Sequence, residues 1–89
     1  MFHTYVLIVS NGNFYIGYTK DLRKRFHNHV NGLVYSTKTK LPVVLVYYEA
    51  CINEYDAIKR ERYLKSGPGR KFIKYRIRYY LNKITPGAS

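Results

Sequence analysis

The 89-residue chain is long enough for one small domain and too short for two hydrophobic cores, so a single domain over residues 1–89 is expected. Its 16 Lys and Arg against 5 Asp and Glu give a formal net charge of +11, which favours nucleic acid as a partner over an anionic membrane surface. A hydrophobic share of 46% excludes a disordered tail, and the single cysteine excludes an internal disulfide and a thiolate zinc site.

The amino terminus has neither the basic region nor the long apolar region of a secretion signal. No stretch of the sequence is long and apolar enough to span a membrane. These features predict a cytoplasmic protein in a reducing compartment. Cys51, which follows an apolar run, is expected to be a small buried hydrophobe.

Two strands joined by a tight turn are predicted near the start of the chain. Residues 5–9 form an apolar run rich in β-branched side chains, which is typical of a buried strand. The pair Asn11-Gly12 accommodates the positive φ angles of a hairpin turn. Residues 14–18 are therefore predicted to form the return strand.

A first helix is predicted after the hairpin, with Thr19 as its N-cap. Its buried stripe is predicted from apolar residues that recur every four positions: Leu22, Phe26 and Val30. The pair Asn31-Gly32 suits the left-handed conformation that ends many helices. The polar, basic stretch over residues 33–41 is predicted to be a loop.

A third strand and two further helices are predicted in the second half of the chain. The apolar run over residues 43–48 is the strand, and Asn53 with Asp56 resembles a capping box that opens a helix ending near Lys65. Residues 66–69 break the helical pattern. The last helix is predicted from apolar residues that keep the helical period: Ile73, Ile77, Tyr80, Leu81 and Ile84.

The order strand, strand, helix, strand, helix, helix predicts an α+β fold, in which helices flank a small three-stranded antiparallel sheet. The first and third strands are expected to be neighbours in that sheet. Thr85-Pro86-Gly87 is expected to close the domain.

The small number of acidic residues limits the kind of metal site that the chain can build. Two-metal nucleases gather several carboxylates around their ions, so metal-dependent cleavage by this chain is expected to use one ion and one or two carboxylates. The candidates are the five acids of the chain: Asp21, Glu49, Glu54, Asp56 and Glu61.

Glu61 is the acid whose position stands out. On a helix it falls on the same side as three apolar residues, Ala57, Ile58 and Leu64. A carboxylate facing a core is costly unless it is paired or bound to a metal. An ion pair with Lys65, one turn further on, and a rotation of the helix that exposes the carboxylate are the alternatives.

Arg25 and His29 flank the apolar stripe of the first helix and lie one turn apart. The Arg25 fork can bind a phosphate, and His29 can donate to a phosphate oxygen or relay a proton. The alternative is an ordinary basic helix face, which is favoured for His29 taken alone. Tyr5 and Tyr15 lie on the paired strands; most tyrosines only pack, but one beside cations can have a lowered pKa and act as a base.

These residues occur in a familiar order. Tyr15-Ile16-Gly17 is preceded by His3-Thr4-Tyr5, and Arg25 stands eight residues after Gly17. His29 and Glu61 follow at helical positions. With this ordered set the chain resembles the GIY-YIG nuclease superfamily, in particular its small standalone bacterial members, which are related to the catalytic domain of excision-repair incision nucleases.

The resemblance also shows two departures from the family pattern. The Gly-Ile that precedes the first tyrosine is replaced by His3-Thr4, so only the tyrosine of that half-motif is present. Repair-type relatives often carry a lysine after the Tyr-Ile-Gly glycine, and this chain has Tyr18 there.

The resemblance implies hydrolysis of DNA phosphodiester bonds by a one-metal mechanism with low sequence specificity, in functions such as DNA repair. It implies that Glu61 binds Mg²⁺ or Mn²⁺ and that Tyr5 activates the attacking water with help from Tyr15. Arg25 would neutralise charge on the phosphate in the transition state, and His29 would support the phosphate or relay a proton. No membrane partner and no small-molecule cofactor are expected.

Two other functions fit the same sequence. One is a catalytically inactive nucleic-acid-binding module with the same fold, and the other is a basic structural protein of a ribonucleoprotein. In each case affinity is expected to come from phosphate contacts and to fall steeply with salt. The basic residues predicted to bind nucleic acid are Lys20, Arg23, Lys24, Lys38, Lys40, Arg70, Lys71 and Lys74.

Overall fold

The computed structural model describes residues 1–84, so the predicted closing turn Thr85-Pro86-Gly87 lies outside the described residues. Within that range the elements are β1 (Phe2–Ile8), β2 (Phe14–Thr19), α1 (Leu22–Val30), β3 (Val44–Cys51), α2 (Glu54–Lys65), α3 (Gly67–Arg76) and α4 (Arg78–Ile84). The strands form one antiparallel sheet in the order β2-β1-β3. The predicted α+β fold and the pairing of the first and third strands are confirmed.

The hairpin between β1 and β2 forms as the sequence predicts. Gly12 adopts a φ of +87°, a value that few residues with a side chain tolerate, and its amide donates to the Val9 carbonyl at 2.8 Å. The Asn11 side chain accepts a hydrogen bond from the Asn13 amide at 3.0 Å. The turn thereby sets the register that pairs Tyr5 with Gly17.

The central strand β1 divides the core into two halves. Side chains of a strand alternate between its faces, so Tyr5 and Leu7 point to one side and Val6 to the other. The Tyr5 side is covered by α1 and the following loop, and the Val6 side is covered by α2 and α3. Because both faces are covered, the strand is buried from Thr4 to Leu7.

α1 begins later than predicted, and it ends at the predicted Asn31-Gly32 pair. β2 continues to Thr19, and the N-cap is Asp21, whose carboxylate accepts from the Lys24 amide at 3.1 Å. The predicted cap at Thr19 is therefore wrong. Val30, predicted to be buried, is 49% exposed because α1 ends there, and Gly32 takes the expected left-handed φ of +71°.

The last predicted helix is two helices. α3 ends at Arg76, Ile77 takes a non-helical φ of −113°, and α4 begins at Arg78. The Arg78 guanidinium donates to the Tyr75 carbonyl at 2.9 Å, next to the break. The apolar period runs through the break, so the pattern could not reveal it.

The junction of α2 and α3 is a close backbone contact. Ser66 ends α2 and caps α3, because its hydroxyl accepts from the Gly69 amide at 3.2 Å. A Cβ at Gly69 would lie 1.9 Å from the Tyr63 carbonyl oxygen, so only glycine fits. Residues 66–69 thus end α2 as predicted, but Gly67 already belongs to α3.

Cys51 is the last residue of β3 and is half-buried, so the prediction that it is a buried hydrophobe is wrong. Across residues 1–84, no helix combines the length and apolar character required to cross a bilayer.

Candidate active site

The structure brings together four of the residues singled out in the sequence. The hydroxyl of Tyr5 lies 2.8 Å from Nε2 of His29 and accepts a hydrogen bond from Nε of Arg25 at 3.3 Å. The ring of Tyr15 is close to both, with its centroid 5.2 Å from that of His29 and 6.5 Å from that of Tyr5. Two strands and one helix thus meet at a single phenol oxygen.

Gly17 makes room for the Tyr5 ring. Tyr5 and Gly17 are direct partners in the pairing of β1 with β2, so the Tyr5 side chain projects from the face to which a side chain at position 17 would point. A Cβ at Gly17 would lie 2.4 Å from both Cζ and Oη of Tyr5. The glycine of the Tyr-Ile-Gly motif is therefore required because the phenol lies directly on its backbone.

The face of α1 that packs against the sheet carries Arg25 and His29. His29 is fully buried, and Arg25 is half-buried above it on the preceding turn. An ordinary basic helix face is therefore the wrong description for His29. Because the imidazole is buried, it contacts the Tyr5 hydroxyl and is not a surface cation.

Two residues of the site were missed in the sequence: Ser36 and Thr37. They lie in the segment between α1 and β3. The Ser36 hydroxyl is 2.9 Å from that of Tyr15, and Oγ1 of Thr37, which is fully buried, is 2.7 Å from Nδ1 of His29. Hydroxyl residues in a polar loop carry no local signal that sets them apart, so only the tertiary structure identifies them.

The protonation of the Tyr5–His29 pair is set mainly by burial. Burial raises the pKa of Tyr5 above its ordinary value of 10.0, and the hydrogen bond from Arg25 offsets only part of that rise. A lowered pKa for a tyrosine beside cations is therefore the wrong expectation here. Burial, together with the Arg25 charge, lowers the pKa of His29 from 6.5 to about 4, so the imidazole is neutral at neutral pH.

Glu61 lies at the edge of the core, where its side chain is 21% exposed. Its carboxylate is 3.4 Å from the Lys65 ammonium, so the ion pair considered as an alternative is present. Burial is the main cause of the raised pKa of Tyr5, and the hydrogen bond with Glu54 is the main cause for Tyr18; the charge of Glu61 adds a small further rise to the pKa of each. The carboxylate therefore acts electrostatically on the phenol at the centre of the cluster.

Three of the other four carboxylates have structural partners. Glu49 accepts two hydrogen bonds from Arg60 at 2.9 Å and a third from Tyr47. Glu54 accepts from the Tyr18 hydroxyl, and this hydrogen bond is the main cause that raises the pKa of Tyr18 to about 12. Asp21 caps α1. Of the two remaining acids, Asp56 and Glu61, it is Glu61 whose charge acts on Tyr5.

A single carboxylate is a chemically reasonable site for a hard divalent cation. Mg²⁺ keeps several of its waters and binds through one or two carboxylates together with substrate phosphates. Residues 1–84 hold no group of three or more His, Cys, Asp or Glu side chains placed to bind an ion. The partly exposed Glu61 oxygens therefore fit a cation whose remaining ligands are water and phosphate.

A family model of the GIY-YIG catalytic domain matches residues 1–72, a span that contains all five candidate catalytic residues. The chain belongs to the GIY-YIG family. Membership places it among nucleases and indicates that nucleic acid is its partner.

Curated relatives and a solved structure match the chain over most of its length. A UPF0213 protein of Staphylococcus saprophyticus is 38% identical over 74 residues, which are 81% of this chain and 89% of the relative. A UPF0213 protein of Limosilactobacillus reuteri is 32% identical over 77 residues, covering 83% of this chain and 80% of the relative. The solution structure of a Bacillus halodurans UPF0213 protein shares the fold, with a TM-score of 0.59, 24% identity and full coverage of both chains.

The basic residues predicted to bind nucleic acid are distributed unevenly around the GIY-YIG site. Lys20 and Lys24 line a groove of about 290 Å³ together with Arg25, and Arg23 lines a neighbouring cavity of about 490 Å³. Arg70 is engaged elsewhere, since it donates to the carbonyls of Lys65 and Phe14. The other four predicted residues are exposed: Lys38, Lys40, Lys71 and Lys74. The Lys38 ammonium lies over the Tyr35 ring.

The buried His29 is expected to make stability depend on pH. Its pKa is 6.5 when unfolded and about 4 when folded, so the unfolded state binds more protons between these values. The free energy of unfolding should therefore fall as the pH drops from about 6.5 to 4, by up to about 3 kcal/mol. Urea unfolding of the wild type and of His29→Gln across this range measures the effect, and equal pH slopes for the two proteins would contradict it.

Proposed function

We propose that this protein is a metal-dependent endonuclease that hydrolyses phosphodiester bonds in DNA, with Glu61 as the only protein carboxylate on one Mg²⁺ or Mn²⁺ ion. The observation that supports this most strongly is the Tyr5 hydroxyl, which is hydrogen-bonded to His29 and Arg25 on the side where the Glu61 charge acts. A proton acceptor and a cation thus contact the Tyr5 hydroxyl, and the nearby Glu61 supplies the negative charge for a metal ion, the groups that phosphodiester hydrolysis requires.

Tyr5 and His29 form a path for the proton of the attacking water. A phenol with a raised pKa is a poor base by itself, but the neutral imidazole 2.8 Å away can accept the Tyr5 proton as the phenol takes one from water. The contact of Thr37 with Nδ1 holds the imidazole in the orientation that this transfer needs. The Tyr15 ring, held by Ser36, excludes water from one side of the pair.

Arg25 and Glu61 act on the phosphate. Arg25 donates from Nε to Tyr5, and its half-buried guanidinium can also donate to phosphate oxygens and stabilise the charge that develops there. Glu61 holds the cation, which when bound supplies Lewis-acid stabilisation of the leaving oxygen. Both side chains are partly exposed, as groups that meet a substrate must be.

Low sequence specificity follows from the kind of contacts available. Lys20 and Lys24 lie in the groove that also holds Arg25, so they can contact the phosphates on either side of the scissile bond. Phosphate contacts position the nucleic acid but do not read its bases. We expect binding to weaken steeply as salt is raised.

The test is a nicking assay on supercoiled plasmid and on a single-stranded oligonucleotide. The wild type should cleave in Mg²⁺ or Mn²⁺, and EDTA should stop cleavage without preventing binding, because the cation acts in the chemical step. Binding without cleavage in either metal would show that the chain is an inactive nucleic-acid-binding module instead.

A further inference from the structure

Two tyrosines near the end of the described chain leave their rings in solvent. Tyr75 on α3 is 68% exposed and Tyr79 on α4 is 79% exposed. The guanidinium carbon of Arg78 lies 4.0 Å from the centroid of the Tyr75 ring and 4.8 Å from that of Tyr79. One arginine thus bridges two exposed aromatic faces, and we call these three residues the tyrosine platform.

The surroundings of the tyrosine platform are strongly positive. Residues 62–84 contain eight of the sixteen Lys and Arg of the chain and none of its five acids. Lys71 and Lys74 are exposed on α3 before the platform, and Lys83 is exposed on α4 after it. The platform is therefore an aromatic surface in a segment that carries cations and no acids.

Folding does not account for the tyrosine platform. α4 contains no buried residue, so the ring of Tyr79 does not join the core. Exposed cation–π contacts contribute only about 0.5–1 kcal/mol each. This gain is small beside the free-energy cost of leaving the apolar surface of two rings in water. Large exposed rings surrounded by cations instead indicate a surface that is covered by a partner.

We propose that the tyrosine platform binds an unpaired stretch of nucleic acid, with bases stacked on Tyr75 and Tyr79 and phosphates contacted by Arg78 and the neighbouring lysines. The inference rests on the proposed function and adds that the substrate carries a single-stranded segment. Stacking on an aromatic ring requires a free base face, and in a duplex these faces are already covered by neighbouring base pairs.

Charge complementarity and geometry favour nucleic acid over an anionic membrane as the occupant. Both partners suit a positive surface, but an interfacial helix needs a broad apolar face beside its basic one. α4 has only 7 residues, and on the platform an arginine, not an aliphatic side chain, separates the two rings.

The experiment measures the affinity of the full chain for a labelled single strand and for a duplex of the same length, in EDTA so that nothing is cleaved. The double variant Tyr75→Ala/Tyr79→Ala should weaken single-strand binding by about tenfold or more, because base stacking on both rings is lost. It should leave duplex binding nearly unchanged. The Tyr75→Phe/Tyr79→Phe variant keeps the rings and should bind like the wild type.

Tyr55→Ala is the matched control, because its ring is 74% exposed but lies between the acidic residues Glu54 and Asp56. It should leave single-strand affinity unchanged. An equal loss for single strand and duplex in the double alanine variant, or no loss at all, would overturn the proposal. The proposal would also be overturned if the double alanine variant kept its single-strand affinity but lost binding to phosphatidylserine vesicles. That result would assign the platform to a membrane surface.

Cleavage measured in parallel separates this inference from the proposed function. A wild type that binds single strands through the platform but never cleaves them supports the platform and refutes the endonuclease. A wild type that cleaves, and whose single-strand affinity is unaffected in the double alanine variant, refutes the platform alone. A wild type that binds no nucleic acid refutes both.

Discussion

Replacing Glu61 with Gln should lower metal-dependent cleavage by about 1,000-fold or more, the upper range for losing one strong electrostatic contact in a transition state. The amide keeps the shape of the carboxylate but carries no charge for the cation. Three of the other carboxylates are already held by structural partners: Asp21, Glu49 and Glu54. Nicking assays in Mg²⁺ and in Mn²⁺ measure the loss, and binding in EDTA should change by less than about twofold.

The ion pair between Glu61 and Lys65 calls for a control, because Glu61→Gln also removes it. Lys65→Gln breaks the same pair and leaves the carboxylate in place. An exposed pair of this kind contributes at most about 1 kcal/mol, so both variants should remain folded. Cleavage by Lys65→Gln should persist; cleavage by Glu61→Gln within about tenfold of wild type would contradict the metal site.

Replacing Gly17 with Ala should displace the phenol of Tyr5 and lower cleavage by about 100-fold, the cost of a misplaced catalytic group. The added methyl would lie 2.4 Å from the phenol oxygen, and the ring is fully buried and held by His29 and Arg25, so it has little freedom to move. Overpacking of this kind should also lower the free energy of unfolding by about 1–3 kcal/mol. Urea unfolding and the nicking assay measure the two effects.

Gly67→Ala is the matched control for this substitution, because a Cβ there meets no atom within 4 Å. Gly67 opens α3, where alanine is compatible with the backbone, so stability should change by less than about 0.5 kcal/mol. Tyr5→Phe separates the loss of cleavage from the loss of stability caused by overpacking, since it removes the hydroxyl without adding volume. Full cleavage by Gly17→Ala would show that the position of the Tyr5 hydroxyl is not critical.

Sequence pattern was sufficient where the chemistry is local. The Asn-Gly turn, the three strands, the start of α2 at its Asn53 cap and the end of α1 at Gly32 all follow from neighbouring residues. The break at Ile77 could not be predicted, because the apolar residues keep the helical period through it. The cap at Asp21 was missed because β2 extends one residue beyond the strand that its pattern predicts.

The ordered spacing of Tyr5, Tyr15, Arg25, His29 and Glu61 was enough to predict the family, and the match over residues 1–72 confirmed it. The sequence by itself therefore determined which residues are candidates for the site. It also predicted that any metal would be bound by one or two carboxylates, because composition limits the acids available.

Only the tertiary structure decided how these residues act on one another. The raised pKa of Tyr5, the neutral His29 and the contacts of Ser36 and Thr37 all depend on packing between segments far apart in the chain. Hydrogen bonds and desolvation act through space, so no window of sequence contains them. For the same reason the tyrosine platform became visible only when exposure and stacking distances were known.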